Sequence, residues 1–242
     1  MTELLRGNIK DGLGGKEFYE VEKGEYTILE KPKHSTQYLC SVWLSPGIYK
    51  FKSYIMVFEK TPGVIRQIAE WADITSPSQI ESVFDKLVSY YSYETMQRIM
   101  VGVGRNTRGG NLINALAGNP RKQYDLYREK TRDASTGVME PKAGIIDDDK
   151  NRIALIDDLQ EAFSNNRIYP LPDSNVDVLK NIIVDKEKYT IPEKYEAYIL
   201  SLAGAYRVFK EHPHRKPVDR TRIKALIQER RQRLNNPFRR ST

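Results

Sequence analysis

The sequence predicts an α/β fold, in which a mixed sheet carries helices on both faces and a basic helical extension follows at the C-terminus. Three strand-like stretches are followed by helix-like and strand-like stretches in alternation, and the series closes with a helix. Basic residues are concentrated after residue 210. We therefore divide the chain into an N-terminal arm or set of short strands (1–37), a central domain (38–210) and a basic tail (211–242).

Composition limits the class of protein. The chain has 242 residues, of which 39% are hydrophobic and 29% are charged, as in a globular protein with ordinary burial. No apolar run reaches about 18 residues, so no membrane helix is predicted. The single cysteine, Cys40, excludes an internal disulfide framework, and its apolar surroundings predict a buried thiol.

The net charge of +7 comes from the C-terminal tail, since residues 211–242 hold ten Lys and Arg against three acids. The basic residues are Arg215, Lys216, Arg220, Arg222, Lys224, Arg230, Arg231, Arg233, Arg239 and Arg240. A narrow apolar stripe runs among them and includes Val218, Ile223, Leu226 and Ile227. Such an amphipathic basic helix docks on a protein or lies along DNA phosphates. The alternative is a solvated tail with no particular partner.

The central domain opens with three apolar stretches of strand length, over residues 38–44, 53–58 and 64–71. Turn signals separate them, Ser45-Pro46-Gly47 after the first and Thr61-Pro62-Gly63 after the second. We expect three successive antiparallel strands. A helix is predicted next, because Ser76 and Gln79 fit a capping box ahead of apolar residues at helical spacing.

The remaining predicted elements alternate strand and helix. In chain order they are a strand over 98–103, a short helix after a Gly/Asn/Arg loop, a strand over 124–127, a hairpin with its tip at 135–137, a helix over 150–164, an edge segment over 167–171, a helix over 175–184 and a last helix ending near residue 210. The inner face of the 150–164 helix is predicted to be Ile153, Ile156, Leu159 and Phe163. A Thr190/Glu193 capping box is predicted to start the last helix, with Tyr195, Ile199, Leu202 and Ala203 inward.

Two stretches suggest a family. The first is residues 99–113, IMVGVGRNTRGGNLI, and the second is residues 196–205, EAYILSLAGA. With the predicted elements, their order and spacing over residues 38–208 resemble the nuclease domain of phage large terminases, which has an RNase H-like fold. The resemblance implies a site in which three or four carboxylates hold two divalent cations that activate water and stabilise the leaving oxygen.

The positions that this resemblance assigns to carboxylates hold other residues. On the first strand the chain has Trp43, Leu44 and Ser45, of which two cannot bind a cation and the third is a poor ligand. The second position is Gly104, and the third is the pair Glu196-Ala197. Only Glu196 remains as a candidate metal ligand. The alternative is that Glu196 is a solvated helix residue.

Two further segments invite a functional interpretation. Asp147-Asp148-Asp149 precedes a predicted helix, where we expect it to cap the helix rather than bind metal. Arg105 and Arg108 lie in a glycine-rich loop before a helix N-terminus, a natural place for phosphate. The alternative for this loop is a tight turn alone. No Gly-x-x-x-x-Gly-Lys-Ser/Thr motif and no zinc spacing of Cys and His occur.

The function predicted from these features is that of a non-catalytic, terminase-nuclease-like phage protein, a pseudoenzyme without a cofactor. It is expected to be a virion structural component of the portal, neck or tail assembly, or a DNA-packaging accessory, assembled in the host cytoplasm without a membrane. Expected partners are portal or neck proteins, double-stranded DNA and further copies of the chain, contacted through Arg105, Arg108 and the tail.

The alternative is a metal-dependent DNA endonuclease with a relocated site. In that case Glu196 would hold Mg²⁺ or Mn²⁺ together with Asp147, Asp148 or Asp149.

Overall fold

A computed structural model of the chain describes residues 3–12, 15–46, 50–74, 76–95, 97–120, 122–132, 137–172, 182–185 and 188–214. The strands in these residues are β1 (Leu5–Gly12), β2 (Gly15–Glu20), β3 (Tyr26–Ile28), β4 (Gln37–Trp43), β5 (Ser53–Thr61), β6 (Val64–Asp73), β7 (Ile99–Val103), β8 (Tyr124–Leu126), β9 (Arg128–Arg132), β10 (Met139–Ala143), β11 (Ile168–Tyr169), β12 (Ile183–Asp185) and β13 (Lys188–Thr190). The helices are α1 (Pro77–Thr95), α2 (Thr107–Gly118), α3 (Asp149–Ser164) and α4 (Glu193–Glu211).

One large sheet organises the fold. Its strand order is β2-β1-β3-β6-β5-β4-β7-β8, and β11 adds to β6 beside β3. The strands β4, β5 and β6 are antiparallel, as predicted, whereas β7 pairs with β4 and β8 with β7 in parallel. Parallel pairing needs a crossover, and α1 and α2 supply the two crossovers on this side of β4.

Helices cover both faces of the sheet, which confirms the predicted fold class. Six of the seven β4 residues are buried, as expected of a central strand covered on both sides. Its side chains alternate between two cores. Cys40 and Val42 join a core with α1 and α2, while Leu39 and Trp43 join a core with α3 and α4.

Strands β1, β2 and β3, which lie within the first 37 residues, extend the same sheet. β3 pairs with β6, so that Tyr26 lies opposite Trp71, and β1 joins β3 to the edge strand β2. Tyr26 and Ile28 are completely buried. The short strands considered for this segment are therefore integral to the sheet rather than a detached arm.

The predicted hairpin and the helix after it are present, as β9–β10 and α3. The buried face of α3 consists of Leu155, Ile156, Leu159 and Ala162. The predicted inward residues Ile153 and Phe163 are only partly buried. The predicted buried face is therefore shifted by one or two residues at each end, while Ile156 and Leu159 are buried as predicted.

The predicted helix over 175–184 is wrong at its C-terminal end, and residues 175–181 lie outside the described part. Ile183–Asp185 is strand β12 and pairs with β13, in which Thr190 lies opposite Ile183. Since Thr190 belongs to this hairpin, it does not cap the last helix. The N-cap of α4 is Pro192, without a side-chain hydrogen bond, and Tyr195 is only partly buried. None of the described helices is long and apolar enough to cross a membrane.

Candidate functional site

The carboxyl ends of β4 and β7 lie side by side, where ligands bind in open α/β sheets. Val42 lies opposite Val103, and the Gly104 N–H donates to the Val42 carbonyl at 3.0 Å. The chain returns here after β10, because Gly104 forms a bridge with Ile145 and the Arg105 N–H donates to the Ile145 carbonyl at 2.8 Å. Trp43, Gly104 and the segment after Ile145 therefore meet at one edge of the sheet.

The indole of Trp43 fills the space at this edge. Trp43 is 1% exposed, and a Cβ on Gly104 would come within 2.6 Å of its ring atoms. On the other side, a Cβ on Gly204 of α4 would lie 3.5 Å from Trp43 Cζ3 and 2.9 Å from Ile145 Cδ1. Two of the three positions that the resemblance assigns to carboxylates thus form an apolar contact, with Ile145 completing it.

The third position, at the start of α4, is engaged in an ion pair. Glu196 Oε1 lies 2.8 Å from Arg152 Nη1, and Arg152 Nε lies 2.5 Å from Asp147 Oδ1. The Asp147 side chain is 1% exposed and that of Glu196 13%. The neighbouring Ala197 faces the α3/α4 core. One guanidinium therefore lies between the two carboxylates that sequence reasoning offered as metal ligands.

The electrostatics favour this arrangement. Burial by itself lowers the pKa of Arg152, but the hydrogen bond and charge of Asp147 and the charge of Glu196 outweigh it, so that the pKa is raised above its usual value. The cation stays protonated, and a divalent cation would have to displace it. Among the residues that the structure describes, no group of three or more His, Cys, Asp or Glu side chains is placed to hold a metal ion. The two-metal site implied by the resemblance therefore does not fit these donors.

The rest of the aspartate run serves the helix. Asp148 is the N-cap of α3, and its Oδ1 accepts from the Asn151 N–H at 2.8 Å. Asp149 is exposed in the first turn, where a negative charge complements the helix dipole. The predicted capping role is confirmed for Asp148, while Asp147 turns inward to Arg152.

The glycine-rich loop between β7 and α2 is a tight turn with polar ties to β4. Asn106 caps α2 by accepting from the Gly109 N–H at 2.8 Å, and its Nδ2 donates to the Leu44 carbonyl at 2.6 Å. A Cβ on Gly109 would lie 1.8 Å from the Gly104 carbonyl oxygen, so glycine is required there. Arg108 Nη1 donates to the Ser45 carbonyl at 2.8 Å. Arg105 is partly exposed beside the loop.

A second ionic network joins β9 to α3 and α4. Arg207 lies 3.1 Å from Glu129 and 3.0 Å from Asp158, and Lys210 also pairs with Asp158 at 2.6 Å. Glu129 is 8% exposed and accepts from the Ile146 N–H at 2.7 Å. The buried acids near the site are thus neutralised by basic side chains of this chain.

Sequence reasoning missed Arg152 and the filling role of Trp43. Helical spacing places Arg152 one turn after Asp148, which would suggest an ion pair between these two residues. The acids that Arg152 in fact pairs with are Asp147, which precedes α3, and Glu196, which lies on α4, and helical spacing reveals neither pair. The basic tail residues from Arg215 to Arg240 lie outside the described residues.

Comparison with known proteins gives a fold. No protein-family model matches the chain, and no curated protein matches it. The nuclease domain of the large terminase of Thermus phage P74-26 aligns with a TM-score of 0.55 and 14% identity, covering 81% of this chain and 92% of that one. The large terminase nuclease of thermophilic phage G20c aligns with a TM-score of 0.53 and 13% identity, covering 77% and 90%. A structure of the G20c nuclease with bound magnesium aligns at 0.52 and 14%, covering 77% and 89%. The chain therefore has the RNase H-like fold of phage large terminase nucleases.

Proposed function

We propose that this chain is a non-catalytic phage component with a terminase-nuclease fold, which binds DNA or a packaging partner without cutting DNA. The observation that carries the proposal is the contact of Trp43 with Gly104. Two-metal hydrolysis needs several carboxylate oxygens around a position open to water and substrate. Here an indole occupies that position, and the glycine that accommodates it has no side chain to offer.

The Arg152 ion pairs support the same conclusion. A carboxylate that holds a metal must present its oxygens to the metal rather than to a cationic side chain. Asp147 and Glu196 each present an oxygen to the guanidinium of Arg152, which stabilises the packing of α3 against α4. In this proposal the guanidinium of Arg152 takes the place of a metal ion between the two carboxylates, and its effect is on stability rather than catalysis.

The partner is proposed from charge. The tail holds an excess of seven positive charges, which suits DNA phosphates or an acidic protein surface. The proposed location is the phage particle or its packaging machinery, with portal or neck proteins, double-stranded DNA or further copies of the chain as partners. In this role the folded domain positions the tail.

A nuclease assay tests the loss of catalysis. Supercoiled plasmid is incubated with the full chain in Mn²⁺ or Mg²⁺, and Mn²⁺ binding is titrated in parallel. We expect no nicking and no stoichiometric metal binding. Nicking that disappears in Glu196→Ala would contradict the proposal. Lys150→Ala, which removes an exposed side chain near the start of α3, is the matched control.

One observation favours the second candidate, a metal-dependent endonuclease with a relocated site. Asp147 and Glu196 approach the same guanidinium, so a rotation of Arg152 away from them would leave two carboxylates around one position. This candidate requires that wild-type protein bind Mn²⁺ and that Arg152→Ala bind it more tightly. The absence of binding in both proteins would exclude it.

A further inference from the structure

The β9–β10 hairpin has one face that carries basic residues and no acid. In its register Arg128 lies opposite Ala143, Lys130 opposite Pro141 and Arg132 opposite Met139. Residues directly opposite each other in an antiparallel pair share a face. This set, which we name the cationic face, consists of Arg128, Lys130, Arg132, Met139, Pro141 and Ala143. Both acids of the two strands, Glu129 and Glu140, lie on the other face.

The orientation of the hairpin is determined at its base. On the acidic face Glu129 pairs with Arg207 of α4 and accepts from the Ile146 N–H. On the cationic face Ala143 packs against the core that contains α1 and α2. The two faces of the hairpin thus continue the two faces of the main sheet, and the cationic face lies on the α2 side.

Two basic residues of this face, Arg128 and Lys130, are available to a ligand. Arg128 and Lys130 are exposed. Within the described ranges, neither side chain takes part in an ion pair or hydrogen bond with another residue. Lys142 on the other face has at least one interaction within the protein. Among the described side chains, the charges of Arg128 and Lys130 are therefore not neutralised by an ion pair, in contrast to those around Glu129 and Asp158.

Arg105 continues the row of charge at the base of the hairpin. Gly144 forms a bridge with Arg128, and a Cβ on Gly144 would lie 2.7 Å from Arg105 Cγ. Both arginines therefore border Gly144. The loop before α2, which sequence reasoning proposed for phosphate contact, and the hairpin form one continuous surface.

We infer that the cationic face of the β9–β10 hairpin, extended by Arg105, is a binding surface for the phosphates of duplex DNA. Alternate residues of a strand are about 6.6 Å apart, which places the three basic positions in a straight row. A two-stranded ribbon fits the major groove of B-DNA, which is about 12 Å wide. A linear row of cations without acids complements the phosphate backbone. The inference rests on the proposed DNA contact but assigns it to the folded domain, separately from the tail.

The test measures affinity of the full chain for a short duplex as a function of salt, by fluorescence anisotropy. The hairpin variant is Arg128→Gln/Lys130→Gln/Arg132→Gln. The control, Lys10→Gln/Lys23→Gln/Lys31→Gln, removes the same charge from exposed residues elsewhere. If each hairpin contact contributes about 0.9 to the slope of log K against log salt, the hairpin variant should lose about 2.7 of slope. Between about 50 and about 200 mM salt, wild type should then lose about 40-fold more affinity than the variant.

A tail variant, Arg230→Gln/Arg231→Gln/Arg233→Gln, distinguishes failure of the inference from failure of the proposed function. A hairpin variant with the wild-type slope beside a weakened tail variant would overturn the inference and leave tail-mediated DNA contact standing. No duplex binding by wild-type protein would overturn both the inference and the DNA-contacting form of the proposed function. Circular dichroism and thermal melting of each variant show whether its fold is retained.

Discussion

Gly104 and Trp43 are sterically complementary: the residue without a side chain lies under the indole of the other, across the parallel β4–β7 pair. The contact fills the edge of the sheet formed by the carboxyl ends of β4 and β7. Because the contact depends on the missing Cβ of Gly104, its contribution to stability can be measured by adding one methyl group at that position.

We therefore expect Gly104→Ala to destabilise the protein by about 1–3 kcal/mol, the usual cost of overpacking a core. Gly110→Ala is the control, since nothing lies within 4 Å of a Cβ there and alanine is the better helix former. It should be neutral or stabilising by up to about 1 kcal/mol. Urea unfolding followed by tryptophan fluorescence measures both. Equal effects of the two substitutions would contradict the packing described for Trp43.

Arg152→Ala should destabilise the protein because it leaves Asp147 and Glu196 without their shared cation. Removal of one partner from a fully buried pair costs about 3–5 kcal/mol. Since the Arg152 side chain is 37% exposed, solvent screens part of this loss, and we expect about 1–3 kcal/mol. Urea unfolding measures this loss of stability. EDTA is added so that no metal ion can bind between the two carboxylates in place of the guanidinium. Lys150→Ala should change stability by less than about 0.5 kcal/mol, and an equal loss there would contradict the role given to Arg152.

Glu70 on β6 should make stability depend on pH. Burial raises the pKa of Glu70, and the hydrogen bond from Gln67, the charge of Lys52 and the charge of Arg6 only partly oppose it. The folded state thus favours the protonated carboxyl, whose contribution is complete below the ordinary value of 4.5 and is lost as pH rises through the raised pKa.

Glu70→Gln keeps an acceptor for Gln67 and removes the ionisation. We expect this variant to be more stable than wild type at about pH 7 and to lose that advantage at about pH 4. Chemical denaturation at the two pH values measures the difference, and Glu81→Gln on α1 controls for the loss of one charge. If the stability of Glu70→Gln relative to wild type is the same at both pH values, burial does not raise the pKa of Glu70 in the folded state.

Gly144 should be less replaceable than other glycines with the same backbone conformation. Its φ is +91°, and a Cβ would lie 2.7 Å from the Val103 carbonyl oxygen. Gly63 has a φ of +79° and nothing within 4 Å. Gly63→Ala should cost about 1–2 kcal/mol from left-handed strain alone. Gly144→Ala should cost at least about 1 kcal/mol more, because backbone must also move. Thermal or urea unfolding of the two variants gives the comparison, and equal costs would show that the hairpin base can adjust freely.

Elements with a strong local signal were predictable. The first three strands of the central domain carry apolar runs divided by turn residues, and α1 has an apolar face, so their order and type followed from the sequence. β12 did not, since a three-residue strand has too few side chains to show a period of two. The capping role predicted for Thr190 was wrong for the same reason, because Thr190 pairs with Ile183 in this hairpin instead of starting a helix.

The missing carboxylates of the candidate site were predictable from the sequence, whereas the residues that pack there were not. The sequence shows that Gly104 offers no carboxylate to a metal, because glycine has no side chain. It does not show that Trp43 fills the space, since the two residues are brought together by the parallel register of β4 and β7. The ion pairs of Arg152 depend likewise on the packing of α3 against α4, which no local spacing reveals.

The division of the core between two faces of the sheet also orders events during translation. β4 and β5 emerge from the ribosome well before α3 and α4, the helices that cover Leu39, Trp43, Met56 and Phe58. Until residues near 211 are synthesised, this apolar face of the nascent sheet has no cover from α4. Large exposed apolar surfaces of this kind are prone to aggregate and are recognised by chaperones. Synthesis of α4 is therefore the step that completes the cover of this face.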